Sequence, residues 1–351
     1  MKAQVFRGTK QLSYEELPIP SLEADEVLVK VQVVGLCQSD IKKILYSLYE
    51  PPRIFGHETA GIISAVGKEV KKWQMGQRVA VMHHIPCMRC SYCMSDNFSM
   101  CDTYKNIVTT AGFTPSGGGF AEYVKVPGYI VDNGGLIPIP DHISFEEASF
   151  VEPTNCCLKA IKKAGVAPGQ SVLITGTGPI GLMFIMLTKY FGGRAIATDL
   201  LPSRIEKAME VGAEAAFDAQ DDYLPDKIQA LTNGMGVDVT LLAVPSDKAF
   251  FQALDCTRKG GRILFFAEFP EQVEISINPN ILYHREIDLM GSYSSSYRLQ
   301  NLAADIVFHR RIDVRTLISD HYPLKDLSQA LEQAITPTKD TYKILIYPHR
   351  S

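Results

Sequence analysis

The distribution of apolar and polar positions changes character about halfway along the chain. From residue 1 to about 150, short β-branched runs such as 27–34 and 77–81 are separated by glycine and proline. Short runs between turn-forming residues predict a β-rich domain. From about Pro168 the pattern becomes apolar strand, glycine turn and helix in repeating order, which predicts a parallel sheet with helical connections. We therefore expect an α/β protein.

The same pattern places individual elements in the second region. Pro202 suits the first turn of a helix and Gly212 suits a C-terminal cap. After about Tyr293 the chain returns to a mixed pattern that ends in an apolar run, 343–347, predicted as a strand. The other strands predicted here are 171–175, 195–199, 237–243 and 262–266, and the predicted helices are 180–191 and 204–211.

Composition narrows the class of partner and compartment. A length of 351 residues with 46% hydrophobic content favours two cores over one. The net charge of -4 and the lack of a Lys/Arg block argue against nucleic acid and membrane surfaces, so we expect a small-molecule partner. No apolar run approaches the roughly 20 residues that span a bilayer, and the N-terminus lacks a signal-peptide pattern. Eight cysteines, half of them clustered, favour the reducing cytoplasm.

Four cysteines follow the spacing C-x2-C-x2-C-x7-C, at Cys87, Cys90, Cys93 and Cys101. Two-residue gaps let one turn present successive sulfurs to a single ion, so the spacing predicts a zinc site in a loop. The alternative is a set of buried or disulfide-bonded cysteines. Because sulfur fills all four positions, such a zinc has no open position for a substrate, and its expected role is structural.

A G-x-G-x-x-G pattern follows the predicted strand 171–175 and opens the next helix. It consists of Gly176, Gly178, Pro179, Ile180 and Gly181. In this context the glycines permit a tight turn, close approach of a pyrophosphate and helix packing, which predicts a dinucleotide site. Asp199 ends the following strand, where a carboxylate binds ribose hydroxyls and repels a 2'-phosphate, so NAD is favoured over NADP. Two points remain open: Asp199 could simply cap the next segment, and Arg204 is near enough in sequence to pair with a 2'-phosphate.

Further candidate residues lie in two short motifs of the first region. Cys37, Ser39 and Asp40 belong to G-L-C-x-S-D, and His57 and Glu58 belong to G-H-E. Each is unremarkable alone, since a single histidine or cysteine is usually structural. Together with the cysteine cluster, G-G-F-A-E-Y at 118–123 and the glycine pattern, they give the chain a resemblance to the zinc-dependent medium-chain alcohol and polyol dehydrogenases over nearly its full length.

The resemblance implies a fold, two metal sites and an assembly. It implies a GroES-like catalytic domain of residues 1–152 and 292–351, a Rossmann NAD-binding domain of residues 153–291, and a homodimer or homotetramer. It also implies a catalytic zinc ion besides the structural one, with Cys37 and His57 as ligands. The third ligand is expected to be Glu152, which precedes a proline as in sorbitol dehydrogenase-like members, with Glu58 as an alternate ligand and Cys156 as a weaker candidate.

The implied activity is interconversion of an alcohol and its ketone. The zinc ion would lower the pKa of the alcohol so that hydride can pass to NAD. Ser39 would receive the proton, and Asp40 would fix the tautomer of His57. A secondary hydroxyl of a polyol, sugar alcohol or cyclitol is the favoured substrate. An amino alcohol of the threonine or aminocyclitol type, or a non-catalytic dinucleotide-binding role, is the alternative.

Two lysines depart from the family pattern. Polyol dehydrogenases often have histidines where this chain has Lys42 and Lys159. The plain interpretation is that both are solvated surface residues. The alternative hypothesis is that one of them contacts the cofactor pyrophosphate or an anionic group of the substrate. His83 and His84, just before the cysteine cluster, are interpreted as structural.

Overall fold

A computed structural model of the chain describes residues 1–113, 117–336 and 341–350. It divides into two compact units. The first contains Met1–Asn155, Ser295–Arg310 and Ile318–Ser351, and the second contains Cys156–Ser294 and Arg311–Leu317. The domain boundaries predicted from the sequence, after residues 152 and 291, lie three residues before those of the structure, after residues 155 and 294. The prediction does not assign the short segment 311–317 to the second unit.

Short strands and short helices follow one another irregularly in the first part of the chain, and strand and helix alternate strictly over residues 171–291. Up to the first boundary they are β1 (Lys2–Gly8), β2 (Gln11–Glu16), β3 (Val27–Gly35), α1 (Gln38–Tyr46), β4 (Glu58–Val66), β5 (Arg78–Val81), α2 (Ser91–Met94), α3 (Asp102–Asn106), β6 (Tyr123–Val126), α4 (Gly128–Asp132), β7 (Leu136–Pro138), α5 (Phe145–Ser149) and α6 (Val151–Lys163). Then follow β8 (Ser171–Thr175), α7 (Pro179–Tyr190), β9 (Arg194–Asp199), α8 (Pro202–Glu210), β10 (Ala215–Asp218), α9 (Leu224–Leu231), β11 (Val237–Leu242), α10 (Asp247–Cys256), β12 (Thr257–Phe265), α11 (Pro279–Arg285) and β13 (Asp288–Gly291). The remaining elements are α12 (Gln300–Phe308), β14 (Ile318–Pro323), α13 (Leu327–Ile335) and β15 (Lys343–Tyr347), and 3-10 turns lie at Phe98–Met100, Tyr297–Leu299, Val314–Leu317 and Leu324–Asp326.

A mixed sheet organises the first unit. Its strand order is β14-β15-β3-β4-β5-β7, and β6 pairs with the first half of β3. The valines of β3 are almost fully buried because this strand is covered on both faces. The antiparallel pairs of β3 with β4 and with β15 bring together chain segments that are far apart in the sequence. These pairs position the metal-site residues described below.

A six-stranded parallel sheet organises the second unit. Its order is β10-β9-β8-β11-β12-β13, with every pair parallel, and β8 is buried along its whole length. The first strand of the unit therefore lies in the middle, and the chain winds outward from it in both directions. In such sheets ligands bind beyond the carboxyl ends of the central strands. The predicted class, α/β with a β-rich domain and a doubly wound parallel sheet, is confirmed.

Helices of this chain are short. Among the described residues, none combines the length and the apolar character needed to cross a bilayer.

Candidate metal and nucleotide sites

The four clustered cysteines converge on one point. Their Sγ atoms all lie within 4.8 Å of one another, and those of Cys90 and Cys93 are 3.5 Å apart while those of Cys87 and Cys93 are 4.0 Å apart. A tetrahedral ion with Zn–S bonds of roughly 2.3 Å places its sulfurs roughly 3.8 Å apart. All eight cysteines of the chain are free thiols. The four residues therefore fit a closed zinc site, and the structure shows all four as free thiols.

The lobe around this cluster is partly helical, which corrects the prediction of a loop. One helical turn, α2, begins just after Cys90 and contains Cys93. Residues three apart lie on the same side of a helical turn, so this turn brings the two cysteines together. The backbone N–H of Cys90 donates to the Cys87 sulfur at 3.3 Å. Backbone N–H donation, chiefly from Arg89, lowers the pKa of Cys87 to about 6. The sulfur is thus readily available as a thiolate, the form that binds metal.

A second cluster contains Cys37, His57 and Glu58, whose potential ligand atoms also lie within 4.8 Å of one another. Cys37 directly precedes α1 and is its N-cap residue, at the positive end of that helix. His57 directly precedes β4, and Glu58 is the first residue of that strand. Because Gly35 of β3 pairs with Glu58 of β4, the two motifs meet at one edge of the sheet. Sequence reasoning had grouped these residues only by resemblance.

Gly35 makes room for the cluster. A Cβ built at this position would lie 2.0 Å from Oε2 of Glu58 and 2.9 Å from Cε of Lys343. Such contacts are closer than real Cβ atoms show, so a larger residue here would force the side chains of Glu58 and Lys343 to move. The glycine of the G-L-C motif therefore has a steric role: it lets a buried carboxylate pass over β3.

Asp40 orients His57. Its Oδ2 lies 3.0 Å from Nδ1 of His57, and its side chain is 1% exposed. Burial raises the pKa of Asp40, but the charges of His57 and Lys43 outweigh it and hold that pKa well below its usual range. An ionised partner at Nδ1 leaves Nε2 to face a metal. Ser39 lies beside the cluster, with its hydroxyl 3.4 Å from the sulfur of Cys37.

Lys343 contacts this cluster, although its position in the sequence does not predict that contact. Its ammonium pairs with Oε2 of Glu58 and donates to the carbonyl of Leu36 at 3.3 Å. Burial lowers the pKa of Lys343, but Glu58 and Cys37 raise it by more, with a smaller contribution from Glu152. The only available signal was a lysine that begins an otherwise apolar strand, β15.

Glu152 lies near this cluster without belonging to it. It is the second residue of α6, is 7% exposed, and its charge acts on Lys343. Among the described residues, neither Glu152 nor Cys156 is part of the group of atoms that could share one ion with Cys37 and His57. The third ligand thus stays a prediction, and the structure brings Glu58 closer to the other two than Glu152.

His83 and His84 also approach the second cluster. The ring of His83 lies 4.8 Å from that of His57, and the ring of His84 lies 3.6 Å from that of His83. Burial lowers the pKa of both well below the usual range, so both are neutral at pH 7. They form a stack that continues to Tyr104 of the cysteine lobe, at 4.5 Å from His84. Their structural role stays a prediction, and their place beside His57 is not evident from the sequence.

The two unusual lysines lie on different helices. Lys42 is half-buried on α1, three residues after Ser39. Lys159 lies on α6, where its ammonium donates to the carbonyl of Tyr293 at 2.7 Å. Burial lowers the pKa of Lys159 to about 8. Lys159 is therefore not a plain solvated residue.

The glycine pattern forms the turn between β8 and α7. Gly176 has φ +82°, which favours glycine, and a Cβ at Gly181 would lie 1.9 Å from the carbonyl oxygen of Gly176. A Cβ at Gly178 would meet no described atom within 4 Å. Helix α7 begins at Pro179, directly followed by Ile180, so its N-terminal N–H groups face this open side. A strand, tight turn and helix N-terminus in this arrangement suit a pyrophosphate.

Asp199 lies at the end of β9, next to that turn. Its Oδ2 accepts hydrogen bonds from the backbone N–H and the hydroxyl of Thr177, at 2.7 and 3.0 Å, and its Oδ1 accepts one from the N–H of Leu201 at 3.1 Å. The Thr177 hydroxyl also lies 3.1 Å from the carbonyl of Arg204. The carboxylate therefore ties the glycine turn to the next strand, in addition to any contact with a ribose.

Comparison with known proteins gives a consistent result. The model of the alcohol dehydrogenase GroES-like domain matches residues 23–141, and that of the zinc-binding dehydrogenases matches residues 179–308. The sorbitol dehydrogenase of Bacillus subtilis is 34% identical, over 100% of this chain and 98% of its own length.

Two solved structures share the whole fold. A Sinorhizobium meliloti protein described as a zinc-binding dehydrogenase, bound to NADP, is 27% identical with a TM-score of 0.87 and covers 99% of each chain. An Escherichia coli protein described as an alcohol dehydrogenase, complexed with NADH, is 25% identical, also with a TM-score of 0.87 and 99% coverage of each chain.

Proposed function

This chain belongs to the zinc-dependent medium-chain alcohol and polyol dehydrogenases, and from that premise we propose that it oxidises a secondary hydroxyl of a polyol, sugar alcohol or cyclitol with NAD, and reduces the ketone in reverse. The oxidoreductase chemistry follows from membership. The substrate class rests on the similarity to a sorbitol dehydrogenase. The NAD preference and the zinc dependence rest on the residues of this chain.

One observation carries the proposal: the chain has two groups of metal-binding side chains of different kinds. Four thiolates fill every position of a tetrahedral ion, which suits a structural site. Cys37, His57 and a carboxylate fill three positions, which suits a catalytic site with one position left for a hydroxyl. A non-catalytic nucleotide-binding protein would have no need of the second set.

Each side chain near Cys37 then has a role. Asp40 holds His57 with Nε2 toward the ion, as its contact with Nδ1 indicates. We assign the third position to Glu152, because the ammonium of Lys343 already holds Glu58. Ser39 relays the hydroxyl proton: its hydroxyl, adjacent to the Cys37 ligand, takes up that proton while it releases its own outward. When bound, zinc lowers the pKa of the alcohol and the nicotinamide takes the hydride.

The cofactor preference follows from Asp199. A carboxylate at this strand end attracts the two ribose hydroxyls of NAD and repels the 2'-phosphate of NADP. No basic side chain is needed to bind NAD there. We therefore expect NAD to be used in preference to NADP.

The test is an activity screen of polyols, cyclitols and amino alcohols with NAD and with NADP. We expect turnover of a polyol or cyclitol with NAD, and two zinc ions per chain. Cys37→Ala and His57→Ala should abolish turnover and each lose one zinc ion while NAD still binds, because the second unit alone carries the nucleotide residues. Glu152→Ala should also lose that ion, and Glu58→Ala should keep it. A single zinc ion in the wild type and no hydride transfer to NAD across the panel would contradict the proposal.

A further inference from the structure

Lys43 has an unusual position for a lysine close to a metal site. It lies on α1 six residues after Cys37, and its side chain is only 24% exposed. Its ammonium is 3.2 Å from Oδ1 of Asp40, the same oxygen that lies 3.1 Å from Nδ1 of His57. One buried carboxylate is therefore shared between an imidazole and an ammonium.

Aromatic rings keep the ammonium beside Asp40. The rings of Tyr49 and Phe55 have their centroids 6.0 and 5.7 Å from Nζ, and both stabilise a cation. The charge of Lys43 also acts beyond Asp40. Burial is the largest cause of the lowered pKa of His83, the charges of His84 and His57 come next, and the charge of Lys43 lowers that pKa further. The positive charge of Lys43 is thus felt at His83, whose ring lies beside that of His57.

The consequence for the ligand strength of His57 follows from electrostatics. A carboxylate that accepts the Nδ1–H of a ligating histidine makes the imidazole a stronger donor at Nε2. A cation on the same carboxylate withdraws part of that negative charge, so the imidazole donates less. The cation also repels a divalent ion through a poorly solvated interior, where charges interact more strongly than in water. Both effects weaken metal binding and leave more positive charge on the ion.

We infer that Lys43 is a positioning residue that acts through Asp40 and His57 to weaken the hold of the second cluster on its zinc ion, and so makes the ion a stronger activator of the substrate hydroxyl. The inference rests on the proposed function, because it takes Cys37 and His57 as zinc ligands. It concerns a residue outside the ligand set, and it adds a role to the partly buried ammonium that pairs with Asp40.

The experiment measures zinc affinity directly. The full-length protein is equilibrated in zinc buffers of graded free concentration and bound zinc is counted by mass spectrometry, with Cys37→Ala as the baseline for the four-cysteine site. Lys43→Met removes the charge and keeps the aliphatic chain. This variant should bind the second zinc ion up to about tenfold more tightly, which is the low end of the changes seen when hydrogen-bond partners of zinc ligands are replaced. It should also have a lower kcat, with little change in KM.

Matched variants separate charge from structure. Lys43→Arg keeps the charge and should retain wild-type affinity, whereas Lys43→Gln offers an uncharged donor to Asp40 and should behave like Lys43→Met. Lys71→Met, at an exposed position of the same unit, is the control and should change nothing. Loss of structure in Lys43→Met would weaken zinc binding, the opposite of the expected result, and Lys43→Gln then provides the test.

Each outcome has a distinct meaning. If the wild-type protein binds zinc only at the four-cysteine site, the proposed function fails. If it binds two ions and both uncharged variants hold the second one equally or less tightly, the inference about Lys43 is wrong. A raised KM for the polyol with unchanged zinc affinity would also overturn it, because Lys43 would then contact the substrate.

Discussion

At the scale of single residues, Asp199 has an observed contact in the fold and an expected contact with the cofactor, and two variants together separate them. It ties Thr177 to the end of β9, and it presents a negative charge where a ribose is expected. Asp199→Ala removes both. Since a hydrogen bond to a charged group contributes about 1.5–3 kcal/mol, the preference for NAD over NADP in kcat/KM should fall by roughly ten- to a hundredfold.

Thr177→Val is the control for this variant. It removes the hydroxyl contact with Asp199 and leaves the carboxylate in place, so the ratio of kcat/KM for the two cofactors should stay close to that of the wild type. An equal loss of selectivity in both variants would show that the shape of the turn, and not the charge, selects the cofactor.

The sequence was informative about residues whose chemistry is local. The spacing of four cysteines, and the position of Asp199 after a strand, each predict a role because the partners are close in the chain or set by a known turn. Lys343 could not be predicted in the same way. Lys343 meets Glu58 only because β15 and β4 flank β3, and strand order is not written in a local pattern.

At the scale of elements, the turn between β8 and α7 depends on three glycines for different reasons. Gly181→Ala would drive a methyl group into the carbonyl oxygen of Gly176, so we expect a clear loss of stability. Gly178→Ala meets open space in the protein and should keep the wild-type melting temperature. It should nevertheless bind NAD at least about tenfold more weakly, a cost of about 1.4 kcal/mol, because the methyl group occupies the space of the pyrophosphate.

Thermal unfolding and titration with NADH fluorescence check both glycine variants. The prediction for Gly178 is wrong if its alanine variant binds NADH as well as the wild type does, since the pyrophosphate would then lie elsewhere.

Elements with a strong period were predicted to within a residue or two. The structure starts α7 at Pro179 rather than 180 and ends β11 at Leu242 rather than 243. The strand predicted at 262–266 begins at Thr257 in the structure. The predicted start is too late because glycine and lysine positions interrupt the apolar pattern of this strand. The turn of helix in the cysteine lobe was missed because four residues are too few to show a period, and cysteine spacing alone suggested a loop.

At the scale of the whole molecule, each unit has its own sheet. We therefore expect a substitution that damages one unit to leave the other folded. The cysteine lobe has a small core of Phe98, Tyr104, Cys93 and Cys101, too few apolar side chains to hold it without metal. Cys93→Ser should remove one zinc ion and lower the melting temperature by roughly 10 °C, as expected when a structural metal site is lost from a unit of this size.

The second unit provides the control for Cys93→Ser. Binding of NADH should persist, because the parallel sheet and the glycine turn contain none of the lobe's residues. Simultaneous loss of NADH binding and of the lobe would show that the two units do not fold independently.

The pairing of Lys343 with Glu58 has a consequence for how the protein is made. The ammonium of Lys343 also donates a hydrogen bond to the carbonyl of Leu36, 307 positions earlier in the chain. Cys37, His57 and Glu58 are therefore synthesised long before the lysine that pairs with Glu58. The main segment of the second unit, Cys156–Ser294, is contiguous and leaves the ribosome earlier than β15. Domains fold as units during synthesis, so the nucleotide fold can form while the metal centre is still incomplete. Nascent chains halted before β15 should therefore bind nucleotide while the cluster of Cys37, His57 and Glu58 still lacks Lys343.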